Sequence, residues 1–197
     1  MKKNFIIVGI IIVILLLIYR FFSHNYNNMV SMDEGVKSAW SKVEIVYQRR
    51  LDLIPNLVST VQGVANFEKS TLTQVIEARA KATQVTIDPS KMTEQNMQQF
   101  QEAQGKVSST LSRLLVTVEQ YPQLRATESF KELQSQLEGT ENRIATERRN
   151  FNEVAQAYNT YIRKFPKNFV ASMFGFQQKP YFTADREAAK APPVKFN

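Results

Sequence analysis

Residues 36–62, VKSAWSKVEIVYQRRLDLIPNLVSTVQ, decide the architecture of this chain. Val36, Trp40, Val43, Tyr47, Leu51, Ile54, Val58 and Val61 recur at steps of three and four residues. That spacing puts them on one face of an α-helix, because 3.6 residues complete a turn. The rhythm runs on through Ala65, Leu72, Val75 and Arg79, with Glu68 in the missing slot. Pro55 lies inside this seam. Proline removes one backbone donor and crowds the preceding turn, so a kink is expected there. Phase is kept across Pro55, which favours one long kinked helix over two helices joined at the proline. The helix should end near Ala82, and Thr86-Ile87-Asp88-Pro89-Ser90 reads as a connection.

Two more helices follow. Thr93-Glu94-Gln95-Asn96 has the form of a cap and polar first turn, leading into the seam Met97, Phe100, Gln104, Val107, Leu111, Leu114 and Val118. Pro122 ends it, since the residue before a proline avoids the helical region. The third helix starts near Thr127. Its seam is Phe130, Leu133, Leu137, Thr140, Ile144, Glu147, Phe151, Val154, Tyr158, Tyr161 and Phe165, stopped by Pro166. Thr140 and Glu147 are polar seam positions, expected at a wide or wet level of the bundle rather than in a catalytic site. Residues 167–175 suit one short apolar helix. Short connections favour antiparallel packing within one chain over a filament-like coiled coil. The fold class is therefore all-α: an antiparallel up-and-down helical bundle of three long helices plus a short one.

Upstream, residues 5–19 read FIIVGIIIVILLLIY, without a charge. Extended through Phe22 the segment reaches ~27 Å as a helix, close to the ~30 Å hydrocarbon core of a bilayer. Arg20 can snorkel to the headgroups, and Tyr19, Phe21 and Phe22 suit the interface. Lys2 and Lys3 followed by an apolar run also fit a secretion signal, but bulky residues stand where a cleavage site would need small ones. A retained transmembrane anchor is expected. Lys2 and Lys3 before the segment, against Arg20 and Lys37 after it, favour the N-terminus inside and the body outside the cytoplasm. The expected organisation is a short tail over 1–4, an anchor over 5–22, the bundle over 23–176, and an extended, partly mobile tail over 177–197.

Composition narrows the chemistry. Of the 197 residues none is Cys, which excludes disulfides, thiol catalysis and Cys-zinc sites. His24 is the one histidine, so two-histidine metal sites are excluded and a Ser-His-Asp triad could form only around it. The net charge of +7 sits at the two ends, while the body carries nearly equal numbers of acidic and basic residues. A nucleic-acid binder needs a basic stripe on its folded body, and none is present in the pattern. No catalytic, cofactor-binding or metal-ligating residues are expected. His24, Lys190 and Lys195 lie on no seam and should matter little for folding.

Two polar strings interrupt the seams. One is RRLDLIPNLV, residues 49–58, and the other is ENRIATERRNFN, residues 141–152. Both are expected to build ion-pair and amide networks that fix helix register, with the rest of their charge in solvent. Together with YNNMV at 26–30, AWSKV at 39–43, EQYPQLRA at 119–126, Tyr158-Asn159 and Phe165-Pro166, these strings resemble the LemA family of bacterial membrane-anchored helical proteins. The resemblance covers roughly residues 1–176. Phe151 stands where the family pattern has Tyr. It implies an N-terminal membrane segment, an antiparallel helical bundle, no established enzymatic activity and no cofactor. It also implies a partner, because family members often accompany a membrane-embedded stress-related metalloprotease.

The functional expectation is a non-enzymatic single-pass scaffold or adaptor of the bacterial cytoplasmic membrane. One alternative is a membrane-surface lipid or envelope-polymer binder that uses Lys164, Lys167, Lys179, Lys190 and Lys195 among Phe165, Phe169, Phe174, Phe176, Tyr181 and Phe182. A remote alternative is a hydrolase pairing Asp52 with Glu141, which needs a cleft and a raised pKa that helix spacing alone does not supply.

Overall fold

In the computed structural model, which describes residues 2–64 and 67–183, a single helix α1 runs from Lys2–Gln62. It joins the apolar N-terminal segment to the first bundle helix without a break and passes through Pro55. At 1.5 Å per residue it is ~90 Å long. After it come α2 (Lys69–Gln84), a 3₁₀ turn (Pro89–Lys91), α3 (Glu94–Val118), α4 (Pro122–Ala126), α5 (Glu128–Arg163) and α6 (Lys167–Phe174). The all-α antiparallel bundle read from the sequence is the fold.

The helix count differs from expectation. The segment expected to run to Ala82 as one helix turns back after Gln62, so four long helices go up, down, up and down. The reversal lies beyond Pro55, between Gln62 and Lys69. There Gly63 forms a turn and Phe67 packs near Tyr121, with ring centroids 5.0 Å apart. Reversal lets Leu72, Val75, Ala78 and Ala82 bury against α1 and α3. A straight continuation would have left them in water, so burial wins over the unbroken phase. Ala65 of the expected seam lies outside the described residues.

Pro55 is tolerated for a specific reason. A proline at this position removes the N–H that would bond to the carbonyl of Leu51. Arg79 of α2 fills that gap, since its Nε donates to the Leu51 oxygen at 2.9 Å. The seam position Arg79 is thus half-buried, with its guanidinium directed at the defect in α1.

Helix starts follow the sequence signals. Thr93 and Asn96 form a reciprocal capping box for α3, and the Thr127 hydroxyl accepts from the Phe130 N–H at the start of α5. Gly175 ends α6 at φ 76°, in the left-handed region that glycine adopts without penalty.

The core has two layers. One joins the proximal half of α1, the start of α3 and the end of α5 around Trp40. The other joins the distal half of α1 with α2, α3 and the start of α5 around Leu57 and Leu114. Between them lies a polar layer containing Arg50, Gln104 and Thr140, all buried. Residues 5–18 are exposed along their whole length and touch nothing in the bundle.

Candidate functional site

Arg50 is the centre of the polar layer. Only 1% of it is exposed. From α1 its Nη1 donates to the Ser108 hydroxyl at 2.7 Å and to Glu141 Oε1 at 2.9 Å. Nη2 donates to the Gln104 carbonyl at 3.1 Å and to its Oε1 at 2.6 Å. One guanidinium therefore ties α1 to α3 and α5. It also lies 5.0 Å from the Tyr47 ring centroid. Among the described residues its Nε finds no acceptor. A planar fork of fixed donors suits a three-helix junction in a way that a flexible ammonium does not.

The two carboxylates of the remote hydrolase reading go to different partners. Glu141 accepts from Arg50 and keeps a side chain 44% exposed. Asp52 is on the surface and accepts from Gln48 at 2.8 Å. Thr140 is buried and bonds back to the Gln136 carbonyl at 2.7 Å. Glu147 is half-buried and accepts from Asn150. Among the described residues no three acidic or histidine side chains converge as metal ligands would.

A second polar arrangement lies along α5 and was not foreseen. Residues 177–183 run extended along the bundle, held by two asparagines. Asn159 donates through Nδ2 to the Lys179 carbonyl and accepts from the Lys179 N–H, each at 2.8 Å. Asn152 does the same for Phe182, at 2.9 and 2.8 Å. Each side-chain amide thus pairs with a backbone as a neighbouring strand would. The spacing fits: seven residues of helix rise ~10.5 Å, and three extended residues span ~10 Å. Arg148 adds a bond to the Thr183 carbonyl at 2.8 Å and lies 5.0 Å from the Phe182 ring. Gln101 of α3 accepts from the Thr183 N–H at 3.1 Å.

Side chains of this strap complete the proximal core. Phe182 is buried, stacks on Trp40 with centroids 5.9 Å apart, and meets Phe151 edge-on at 5.5 Å. Lys179, expected in a solvated basic tail, is buried and pairs with Asp33 of α1 at 2.8 Å. Asp33 also pairs with Lys37 at 3.1 Å. Burial works against the Asp33 carboxylate, but the hydrogen bonds from Lys179 and Lys37 outweigh it and hold the carboxyl below its ordinary range. Burial, with Asp33 nearby, pushes the Tyr158 phenol up to about 12. The first seven residues of the expected mobile tail are therefore packed onto the body, while residues 184–197, with Lys190 and Lys195, lie outside the described residues. Asn152 and Asn159 both sit in stretches singled out in the sequence. Their seven-residue spacing was the available signal, but nothing local named their partner.

The membrane-proximal end has its own polar tie. Tyr161 donates to Asn25 Oδ1 at 3.1 Å and accepts from Asn28 at 3.2 Å, which fixes the end of α5 to α1. Beside it α1 carries an 18-residue window of mean hydropathy 3.0, long and apolar enough to cross a membrane.

Comparison with known proteins identifies relatives of this chain. The sequence model of the LemA family matches residues 39–196. Magnetosome protein MamQ 2 of Paramagnetospirillum magneticum is 30% identical, over 86% of this chain and 68% of its own length. Magnetosome protein MamQ of Magnetospirillum gryphiswaldense is 30% identical, over 80% of this chain and 64% of its own. Protein LemA of Metamycoplasma hominis is 23% identical, over 80% and 68%.

Proposed function

This chain belongs to the LemA family, and on that premise we propose that it is a non-enzymatic scaffold or adaptor anchored in the bacterial cytoplasmic membrane by residues 5–22. The observation that carries this reading is the continuity of α1 from Lys2 to Gln62. A stiff helix shared by anchor and bundle holds the bundle surface at a set height above the bilayer. That suits a protein that presents a surface to another membrane protein. The buried and half-buried polar groups add support: Arg50, Asn159, Asn152 and Asp33 are all engaged in holding helices and strap together. The partner class to which the family resemblance points is a membrane-embedded stress-related metalloprotease.

Charges around the anchor favour the bundle outside the cytoplasm. The chain has no cysteine, so Ile45→Cys, on an exposed flank of the bundle, gives a single labelling site. A membrane-impermeant maleimide should label it in intact cells; labelling that needs permeabilised cells would reverse the orientation. The adaptor reading is tested by photo-crosslinking from the same position in native membranes. A discrete adduct with a membrane protein is expected, and adducts with lipid alone would sink the reading.

A further inference from the structure

Among the described residues, the outer face of α6 is largely uncovered. Phe169 and Met173 are 62% and 66% exposed, Phe174 is 49% exposed, and Phe165, just before the helix, is 78% exposed. Val170 and Ala171 cover the opposite face against the bundle. An apolar cluster of this kind marks a surface that something else covers.

Its place in the fold says what that is. Phe174 meets Tyr26 edge-on at 4.8 Å and shares an apolar pocket with Tyr19, Phe22 and Ser23. These α1 residues stand where the apolar segment ends. Tyr26 lies only ~6 Å along the axis beyond Phe22. The headgroup layer outside the ~30 Å hydrocarbon core is ~5–8 Å deep on each side, so α6 sits at its level. Charge agrees with this placement. No acid occurs before Asp33, nor between Glu153 and Asp185, whereas Arg20, Arg163, Lys164 and Lys167 lie in those stretches. The Lys167 ammonium sits 3.6 Å from the Tyr161 ring centroid, within the same end of the bundle.

We infer that α6 is a second membrane contact, lying in the bilayer surface with Phe165, Phe169, Met173 and Phe174 at the boundary between headgroups and acyl chains. This rests on the reading of residues 5–22 as membrane-spanning and adds to it. One spanning helix leaves the bundle free to rotate about the α1 axis. A second contact to one side fixes that rotation and so fixes which flank of the bundle faces along the membrane. Arg20, Arg163, Lys164 and Lys167, in stretches of chain that contain no acid, draw this end towards anionic lipid.

The test uses the cysteine-free full chain in vesicles of phosphatidylcholine and phosphatidylglycerol. An environment-sensitive dye is placed singly at Ile12→Cys, Ile45→Cys, Phe169→Cys or Met173→Cys. All four positions are exposed, so the dye leaves the core intact. Nitroxide lipids quench it from near the headgroup or from near the chain end. Dye at 169 and 173 should emit blue-shifted and lose most of its emission to the shallow nitroxide. Dye at 12 should lose more to the deep one, and dye at 45 should be unaffected. Emission at 173 matching that at 45, or blue-shifted but unquenched because protein covers the face, overturns the second contact. Absence of deep quenching at 12 overturns the spanning reading itself, a result distinct from failure at 173 alone.

Discussion

Arg50 shows how one side chain sets the register of a bundle. It carries a full charge between two apolar layers and holds three helices at one level. Arg50→Ala should cost about 3–5 kcal/mol, since it removes the four guanidinium bonds to Ser108, Glu141 and Gln104 and leaves a cavity. Glu141→Gln should cost only about 1 kcal/mol, because an acceptor remains and the site is partly in solvent. Denaturant unfolding of the detergent-solubilised protein reads both, and equal losses would mean that the charge pair, not the fork, holds the layer. The aromatic cluster above it behaves differently. Trp40, Phe100 and Phe151 were legible as seam residues, and each is buried. Truncation of each to Ala should cost about 3–5 kcal/mol. Trp40 touches both others, at 5.2 and 5.6 Å, so paired truncations should cost less than the sum of the single ones. What the seam did not reveal is the fourth ring, Phe182, because it arrives from a segment without periodicity.

Elements meet at two places where a backbone defect or a loose segment is met by a side chain. In α1 the defect is Pro55, and Arg79 of α2 supplies the missing donor. Pro55→Ala restores the helical bond, so Arg79→Ala should destabilise more in the native background than beside Pro55→Ala. A coupling of about 0.5–3 kcal/mol in a double-mutant cycle is expected, and none would separate the two residues. Along α5 the strap depends on Asn152 and Asn159. Asn159→Ala strands a buried N–H and carbonyl of Lys179, so amide exchange at Lys179 and Phe182 should speed up by about 10-fold or more, the equivalent of about 1–3 kcal/mol. The strap is also sensitive to acid. The Asp33 carboxyl is lowered in the fold, so its contribution is complete above the unfolded value of about 3.9 and is lost as pH falls through the lower folded value. Exchange of the strap amides should therefore rise below about pH 4, and Asp33→Asn should abolish that dependence.

At the scale of the molecule, anchor and bundle share a helix but not a core. Residues 5–18 touch nothing in the bundle, so removal of residues 1–18 should leave the melting temperature of the bundle nearly unchanged while releasing it from membranes. A large drop in melting temperature would mean that the anchor packs on the body. Phe165 apart, which lies beyond α5 and is exposed, the sequence by itself determined the apolar span, the helical class, the cap at Thr93, the helix start near Thr127, and the seams of α3 and α5. These follow from local rules: apolar length, a 3.6-residue period, and side chains that bond within one turn. Only the tertiary structure decided where the first seam reverses, why Pro55 sits harmlessly inside a helix, and where Lys179 and Phe182 go. Reversal between Gln62 and Lys69 is set by what Leu72, Val75 and Ala78 can bury against, and phase along one helix carries no record of its neighbours. Arg79 meets Leu51, and Asn152 meets Phe182, across 28 and 30 residues of chain. A contact of that span leaves no periodic trace, because its geometry exists only once the helices between are packed.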